Sequence, residues 1–290
     1  MCIRDSHKRA QNQLWLNGDI VSEEDAAVSP FDHGLLTGDG VFETLISYDG
    51  NKPFAFTRHF ERLIKSARPF GLNVPEAELL SDACEAVLAL NQASPARLRI
   101  TITAGRAPLG SEKGSDSENV IVASSEVPEQ PRHSKVITVP YARNEHGALV
   151  GLKTTSYGEN VVALALAHSK GAREAIFPNV SGNLCEGSGS NIFIVSNGQL
   201  ITPPLSSGCL PGVTRALALE ICNRIGIHVN QIDFPMTDLT NVDSAFLTST
   251  LRQIQPIESI DGISLKDVEC NEQLKIKNEF TRLIQSEIDP

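Results

Sequence analysis

The chain has 290 residues, 41% of them hydrophobic, and a formal net charge of -10. That length allows two domains of ordinary size with packed cores. The acidic balance, with no Lys/Arg cluster, argues against nucleic acid or an anionic membrane as the main partner. No apolar run approaches the roughly 20 residues that a membrane span requires. Six cysteines (Cys2, Cys84, Cys185, Cys209, Cys222, Cys270) are scattered without CxxC spacing, and nothing at the N-terminus reads as a secretory signal. They read as reduced thiols of a cytoplasmic protein, with no metal site.

Residues 1–11 are polar and patternless and are set aside as a disordered or non-native leader. Leu14 to Val21 predicts a hairpin, because Asn17-Gly18 between apolar flanks supplies two positive-φ residues. A Gly-rich loop from Val28 then runs into a strand that begins at Gly38-Asp39-Gly40-Val41-Phe42-Glu43-Thr44 and reaches Tyr48. Helices are predicted over Arg58–Phe70, carrying Arg62 and closed by Gly71, and over Glu76–Leu90. Arg97–Thr103 and Val120–Ala123 predict strands, with a mobile loop rich in Gly, Ser and charge between them at Ala104–Glu118. The expected division is a small α+β domain over 12–126, a Pro-containing linker at 127–134 and a larger domain over 135–290.

The larger domain opens with a strand at Lys135–Val139. Lys153 follows an apolar pair and precedes Thr154-Thr155-Ser156-Tyr157, which places it at a strand end or in the turn before a helix. That helix carries Val161, Leu164, Ala165 and His168 on one face and stops near Gly171. Glu174–Phe177 and Asn191–Val195 read as strands around a hairpin turn at Val180–Asn183. Between them Leu184–Ser190 holds a carboxylate, Glu186, among small residues that allow a flat ligand close to the backbone. Pro211-Gly212-Val213-Thr214 is a loop becoming a helix that ends at Ile225. A strand at Ser244–Leu247 leads into the turn Thr248–Thr250, and a last helix begins near Asn271.

A lysine, a tyrosine four residues on, an asparagine three further, a Gly-x-x-Glu-Ala step and a Glu-Gly-x-Gly-x-Asn turn together resemble the class IV (fold type IV) pyridoxal-phosphate aminotransferases. The resemblance runs from about Trp15 to about Ile263. It implies a two-domain α/β protein: a small α+β domain, a larger domain with a barrel-like sheet, and pyridoxal 5'-phosphate in the cleft between them. It also implies a homodimer. Lys153 would hold the cofactor and move the substrate's α-proton, Glu186 would face the pyridine nitrogen and Tyr157 the ring oxygen. Gly212, Val213 and Thr214 at a helix N-terminus, Ser249 and Thr250, and Arg62 would bind the phosphate.

On the substrate side, Phe42, Thr44, Arg97, Leu251 and Arg252 are the candidates, and Arg106 and Arg143 are further carboxylate ligands. Arg97 and Arg99 alternate on their strand with Leu98 and Ile100 and so share a face. The branched-chain members resemble one another in an aromatic residue and an arginine that are Thr37 and Ile46 here. The expected activity is transfer of an amino group between an amino acid or primary amine and a 2-oxo acid. Two alternatives remain: 4-amino-4-deoxychorismate lyase, which shares the first half of the mechanism, and a non-catalytic binding homologue.

Overall fold

A computed structural model describes residues 12–114 and 117–290. The expected leader at 1–11, Cys2 within it, and two positions of the expected mobile loop lie outside the described residues. The chain divides into two compact units with the boundary between Val127 and Pro128, inside the stretch expected as linker.

The first unit is a five-stranded antiparallel sheet with helices packed on one face. Its elements are β1 (Gln13–Leu16), β2 (Asp19–Ser22), a single helical turn α1 (His33–Leu36), β3 (Gly40–Ser47), α2 (Phe56–Ala67), α3 (Ala77–Asn91), β4 (Ala96–Thr103) and β5 (Asn119–Glu126), in the order β2-β1-β5-β4-β3. The β1–β2 hairpin turns through Asn17 (φ 52°) and Gly18 (φ 110°), the positive-φ pair that its sequence demands. Helix α2 ends earlier than expected. With Pro69 in the way of a regular α-helix, Arg68–Phe70 tighten into a 3-10 turn closed by Gly71 at φ 60°.

Alternation along β3 and β4 sorts this sheet into two faces. Val41, Leu45, Leu98, Ile100 and Ile102 join Leu63, Leu80 and Leu88 in one buried cluster beneath the helices. Phe42, Thr44 and Ile46, paired in register with Thr101, Arg99 and Arg97, lie on the other face.

The second unit holds β6 (Ser134–Thr138), α4 (Gly158–Ser169), β7 (Glu174–Pro178), β8 (Leu184–Gly187), β9 (Asn191–Ser196), β10 (Gln199–Thr202), α5 (Val213–Arg224), β11 (Val229–Gln231), β12 (Ser244–Ser249), β13 (Gln253–Ile260), β14 (Ile263–Ser264) and α6 (Asn271–Ser286). Its nine-stranded mixed sheet runs β11-β10-β9-β12-β13-β6-β7-β8, with β14 on β13. Edge strand β8 comes back against β9, so the sheet curls into a half-barrel whose core is built from Val136, Ile176, Leu184, Ile192, Ile194 and Leu247.

Two expectations need correction here. The helix α4 does not bury Val161, Leu164, Ala165 and His168. Val161 is 62% exposed and Val162 54%, and the buried side is Asn160, Ala163 and Ala167. Alanines let the helix axis come close to β7, where they pack with Ala175 and Phe177; a stripe of larger side chains would hold it off. Leu184–Gly187, read only as the start of a small-residue stretch, is a strand, and it carries Glu186. Glu186 belongs to β8, paired with Phe177 of β7, because Leu184 and Cys185 are apolar enough to continue the sheet and are buried.

Candidate active site

In the second unit, Lys153 lies in the segment between β6 and α4, and Tyr157 is the residue at the N-cap of α4. The helix start therefore fixes both. Lys153 Nζ sits 5.7 Å from the centre of the Tyr157 ring. The Tyr157 hydroxyl donates to the Ser188 carbonyl at 3.3 Å, and Asn160 Nδ2, one turn along the buried side of α4, donates to the same oxygen.

Glu186 faces this group from β8. Its Oε2 accepts the Leu210 N–H at 2.9 Å, and its Oε1 lies 3.3 Å from Arg143 Nε. Burial is the largest influence on this carboxyl and pushes it above its ordinary range. Arg143, the Leu210 N–H and Lys153 pull it down, and Glu174 adds to the rise. A cation placed against Glu186 would lower it further by direct attraction. Arg143, expected as a possible substrate ligand, is occupied by the protein itself. Besides Glu186 it pairs with Glu159 at 3.0 Å and stacks over Phe177 at 4.1 Å.

Helix α5 begins at Gly212 with no side chain capping it. Its first-turn amides and the buried Thr214 hydroxyl thus stand at the positive end of the helix dipole. A Cβ on Gly212 would meet Asn191 Oδ1 at 2.0 Å, so only glycine lets the chain pass there. Asn191 Nδ2 in turn donates to Leu210 O at 2.8 Å, which ties this loop to the residue that binds Glu186. Ser249 closes β12 and accepts the Arg252 N–H at 3.2 Å, with Thr250 and Leu251 half-buried in the turn between them.

The Arg252 guanidinium is held by Gln255 Oε1 at 2.6 Å, by the Arg173 carbonyl at 2.7 Å and by Glu174 at 3.5 Å. The second unit thus collects Lys153, Tyr157 and Glu186 around one another. Sequence reasoning misses that Arg143 partners Glu186 and that Glu174 partners Arg252. The one signal for Glu174 is the Gly-x-x-Glu-Ala step, which marks the residue without revealing its partner.

In the first unit, Phe42, Thr44 and Arg97 share the sheet face opposite the helices. Arg99 lies 3.7 Å over the Phe42 ring, and Arg97 Nε donates to Ser125 Oγ at 3.1 Å. The backbone of Arg106 forms an isolated antiparallel β-bridge with that of Asp32. Arg62 is buried, and its Nε and Nη2 grip the fully buried Glu43 at 2.8 and 2.7 Å, with His59 Nδ1 at 2.7 Å from the same carboxylate. Burial alone would raise the Glu43 carboxyl, yet Arg62 and His59 hold it down at about 2. Sequence reasoning also misses Glu43 as the partner of Arg62, since nothing local in the sequence joins a strand residue to a helix residue.

The sequence profile described as Amino-transferase class IV matches residues 40–260. The chain belongs to the class IV aminotransferases. A protein of Methanocaldococcus jannaschii, named provisionally as a branched-chain-amino-acid aminotransferase, is 34% identical over 275 residues, covering 92% of this chain and 95% of its own. The D-alanine aminotransferase of Listeria monocytogenes is 30% identical over 263 residues, covering 88% of this chain and 90% of its own. Among solved structures, the branched-chain aminotransferase of Thermoproteus uzoniensis with norvaline superposes with a TM-score of 0.88 at 31% identity, over 94% of this chain and 95% of that one.

Class IV aminotransferases carry out transamination with pyridoxal 5'-phosphate, and the donor set of this aminotransferase suits that cofactor. It has a lysine amine, a half-buried carboxylate for a protonated ring nitrogen, a phenol, and an uncapped helix N-terminus with a hydroxyl for a phosphate.

Proposed function

We propose that Lys153 is the catalytic lysine of this aminotransferase and that Glu186, Tyr157 and the α5 N-terminus hold its cofactor. The observation that carries the reading is geometric: Lys153 Nζ lies 5.7 Å from the centre of the Tyr157 ring, whose hydroxyl bonds the Ser188 carbonyl two residues beyond Glu186. When bound, pyridoxal phosphate supplies an electron sink for the substrate's α-carbon.

Glu186 would keep the ring nitrogen protonated by presenting an anion to it, with Arg143 and the Leu210 N–H fixing the carboxylate's direction. Lys153 Nζ would hold the cofactor and, when its amine is free, would take the proton from the substrate's α-carbon and return it. Gly212, Val213 and Thr214 would supply amides and a hydroxyl to the phosphate, with Ser249 and Thr250 as a second hydroxylated turn. Phe42, Thr44, Arg97 and Leu251 are the substrate-side residues, whereas the Arg252 guanidinium is taken up by Gln255, the Arg173 carbonyl and Glu174. The face shared by Phe42, Thr44, Arg97 and Arg99 offers aromatic, hydroxyl and cationic groups suited to the side chain and carboxylate of an amino acid.

The active form is a homodimer, a reading supported by the apolar outward side of α4, where Val161 and Val162 stand exposed. A cytoplasmic location is supported by the buried cysteines Cys84, Cys185, Cys209, Cys222 and Cys270, none of them in a disulfide. Among the described residues no helix is long and apolar enough to cross a membrane.

The test is a titration of cofactor-loaded protein with L-leucine, L-glutamate, D-alanine and an (R)-amine in turn. One of them should bleach the visible band and release its keto product, and a 2-oxo acid should restore the band. If none of the four does so, transamination of ordinary amines is refuted as the main activity, and pyruvate release from aminodeoxychorismate becomes the reaction to assay.

A further inference from the structure

The Gly171-Ala172-Arg173-Glu174-Ala175 step has no role in the reading above, yet its carboxylate is among the most enclosed groups of the second unit. Glu174 is 1% exposed. Its Oε1 accepts the Ser188 N–H at 2.9 Å, the Ser188 hydroxyl and the Ala175 N–H at 3.1 Å. Its Oε2 accepts the Ser190 hydroxyl at 3.0 Å and lies 3.5 Å from Arg252 Nε. The turn is drawn tight onto this carboxylate: a Cβ on Gly187 would meet Ser190 Oγ at 2.4 Å and Glu174 Cδ at 3.2 Å. Arg252 is itself held from behind by Gln255 and the Arg173 carbonyl.

What this network fixes is the Ser188 carbonyl, the acceptor of both Tyr157 Oη and Asn160 Nδ2. We propose that Glu174, backed by Arg252, is a positioning residue of the reaction: it locks the 187–190 turn so that the Ser188 carbonyl orients the Tyr157 phenol beside Lys153. Asn160 makes the alignment workable. By bonding the Ser188 carbonyl itself, it keeps that oxygen satisfied when the Tyr157 hydroxyl turns to another acceptor. Arg252 then acts through Glu174 instead of gripping a substrate carboxylate.

This inference rests on Lys153 being the cofactor lysine, and the test separates the two. Cofactor-loaded wild type, Glu174→Gln, Tyr157→Phe, the double variant and Lys153→Ala are compared for the pH midpoint of the visible band, cofactor affinity and melting temperature. Glu174→Gln and Tyr157→Phe should each move the midpoint in the same direction by about half a pH unit or more. The double variant should move it no further than the larger single change, because both act through one hydroxyl. Glu174→Asp should recover part of the shift.

A midpoint left at the wild-type value in Glu174→Gln, even with a lower melting temperature, overturns the proposal, as do shifts that add fully in the double variant. Where Glu174→Gln does not fold, Ser190→Ala and Arg252→Lys each remove one bond of the same network and carry the same comparison. A wild-type protein without a band that Lys153→Ala abolishes would remove the cofactor reading and this inference together. A normal band with an unmoved midpoint removes only the role of Glu174.

Discussion

Replacing Glu43 by Gln tests how a fully buried charge is held in the first unit. The carboxylate faces Arg62 through two nitrogens and His59 through one, and its pKa is held at about 2 against an ordinary 4.5. A depression of that size corresponds to about 3 kcal/mol of folding free energy. Because the folded-state value is the lower one, this stability is fully present above pH 4.5 and is lost as pH falls through about 2.

Glu43→Gln leaves the Arg62 guanidinium buried against a neutral amide, a change that typically costs about 3–5 kcal/mol. Urea unfolding of both proteins should therefore show a gap of a few kcal/mol at neutral pH. The gap should narrow below pH 4.5, where the wild type alone takes up a proton on unfolding. A gap that stays constant down to about pH 3, or no gap at neutral pH, would refute the reasoning that Glu43 is ionised and paired.

Gly212→Ala forces a Cβ to within 2.0 Å of Asn191 Oδ1 and should weaken cofactor binding about tenfold or more, read by equilibrium dialysis; unchanged affinity would place the phosphate elsewhere. Ala163→Leu on the buried side of α4 should lower stability by about 1–3 kcal/mol, read by chemical denaturation. Val162→Glu should halve the mass seen by light scattering without loss of helical circular dichroism, and a mass that does not fall would move the dimer contact away from α4.

The residues proposed to carry the chemistry stand out in the sequence because each sits at a local punctuation mark of the chain. Lys153 precedes a helix start, Gly212 opens another, and Glu186 precedes a small-residue turn. What the sequence hid was of two kinds. Hydrophobicity pointed to the Val161 stripe of α4, but close packing chose Ala163 and Ala167, because the helix can approach β7 only through small side chains. The partners of charges were also hidden. Glu43 meets Arg62, Arg143 meets Glu186 and Glu174 meets Arg252 only after strands and helices have been brought together, and no periodicity encodes such pairs. The same is true of β8, which pairs through Phe177 and Glu186 although its own four residues give no alternation to read.

The central claim is that Lys153 is the residue to which the cofactor is attached. Borohydride reduction of the cofactor-loaded protein followed by peptide mass mapping tests it most directly. The account predicts a phosphopyridoxyl adduct on the peptide containing Lys153 and none in Lys153→Ala. An adduct confined to any other lysine, or persisting in Lys153→Ala at the wild-type level, would contradict it.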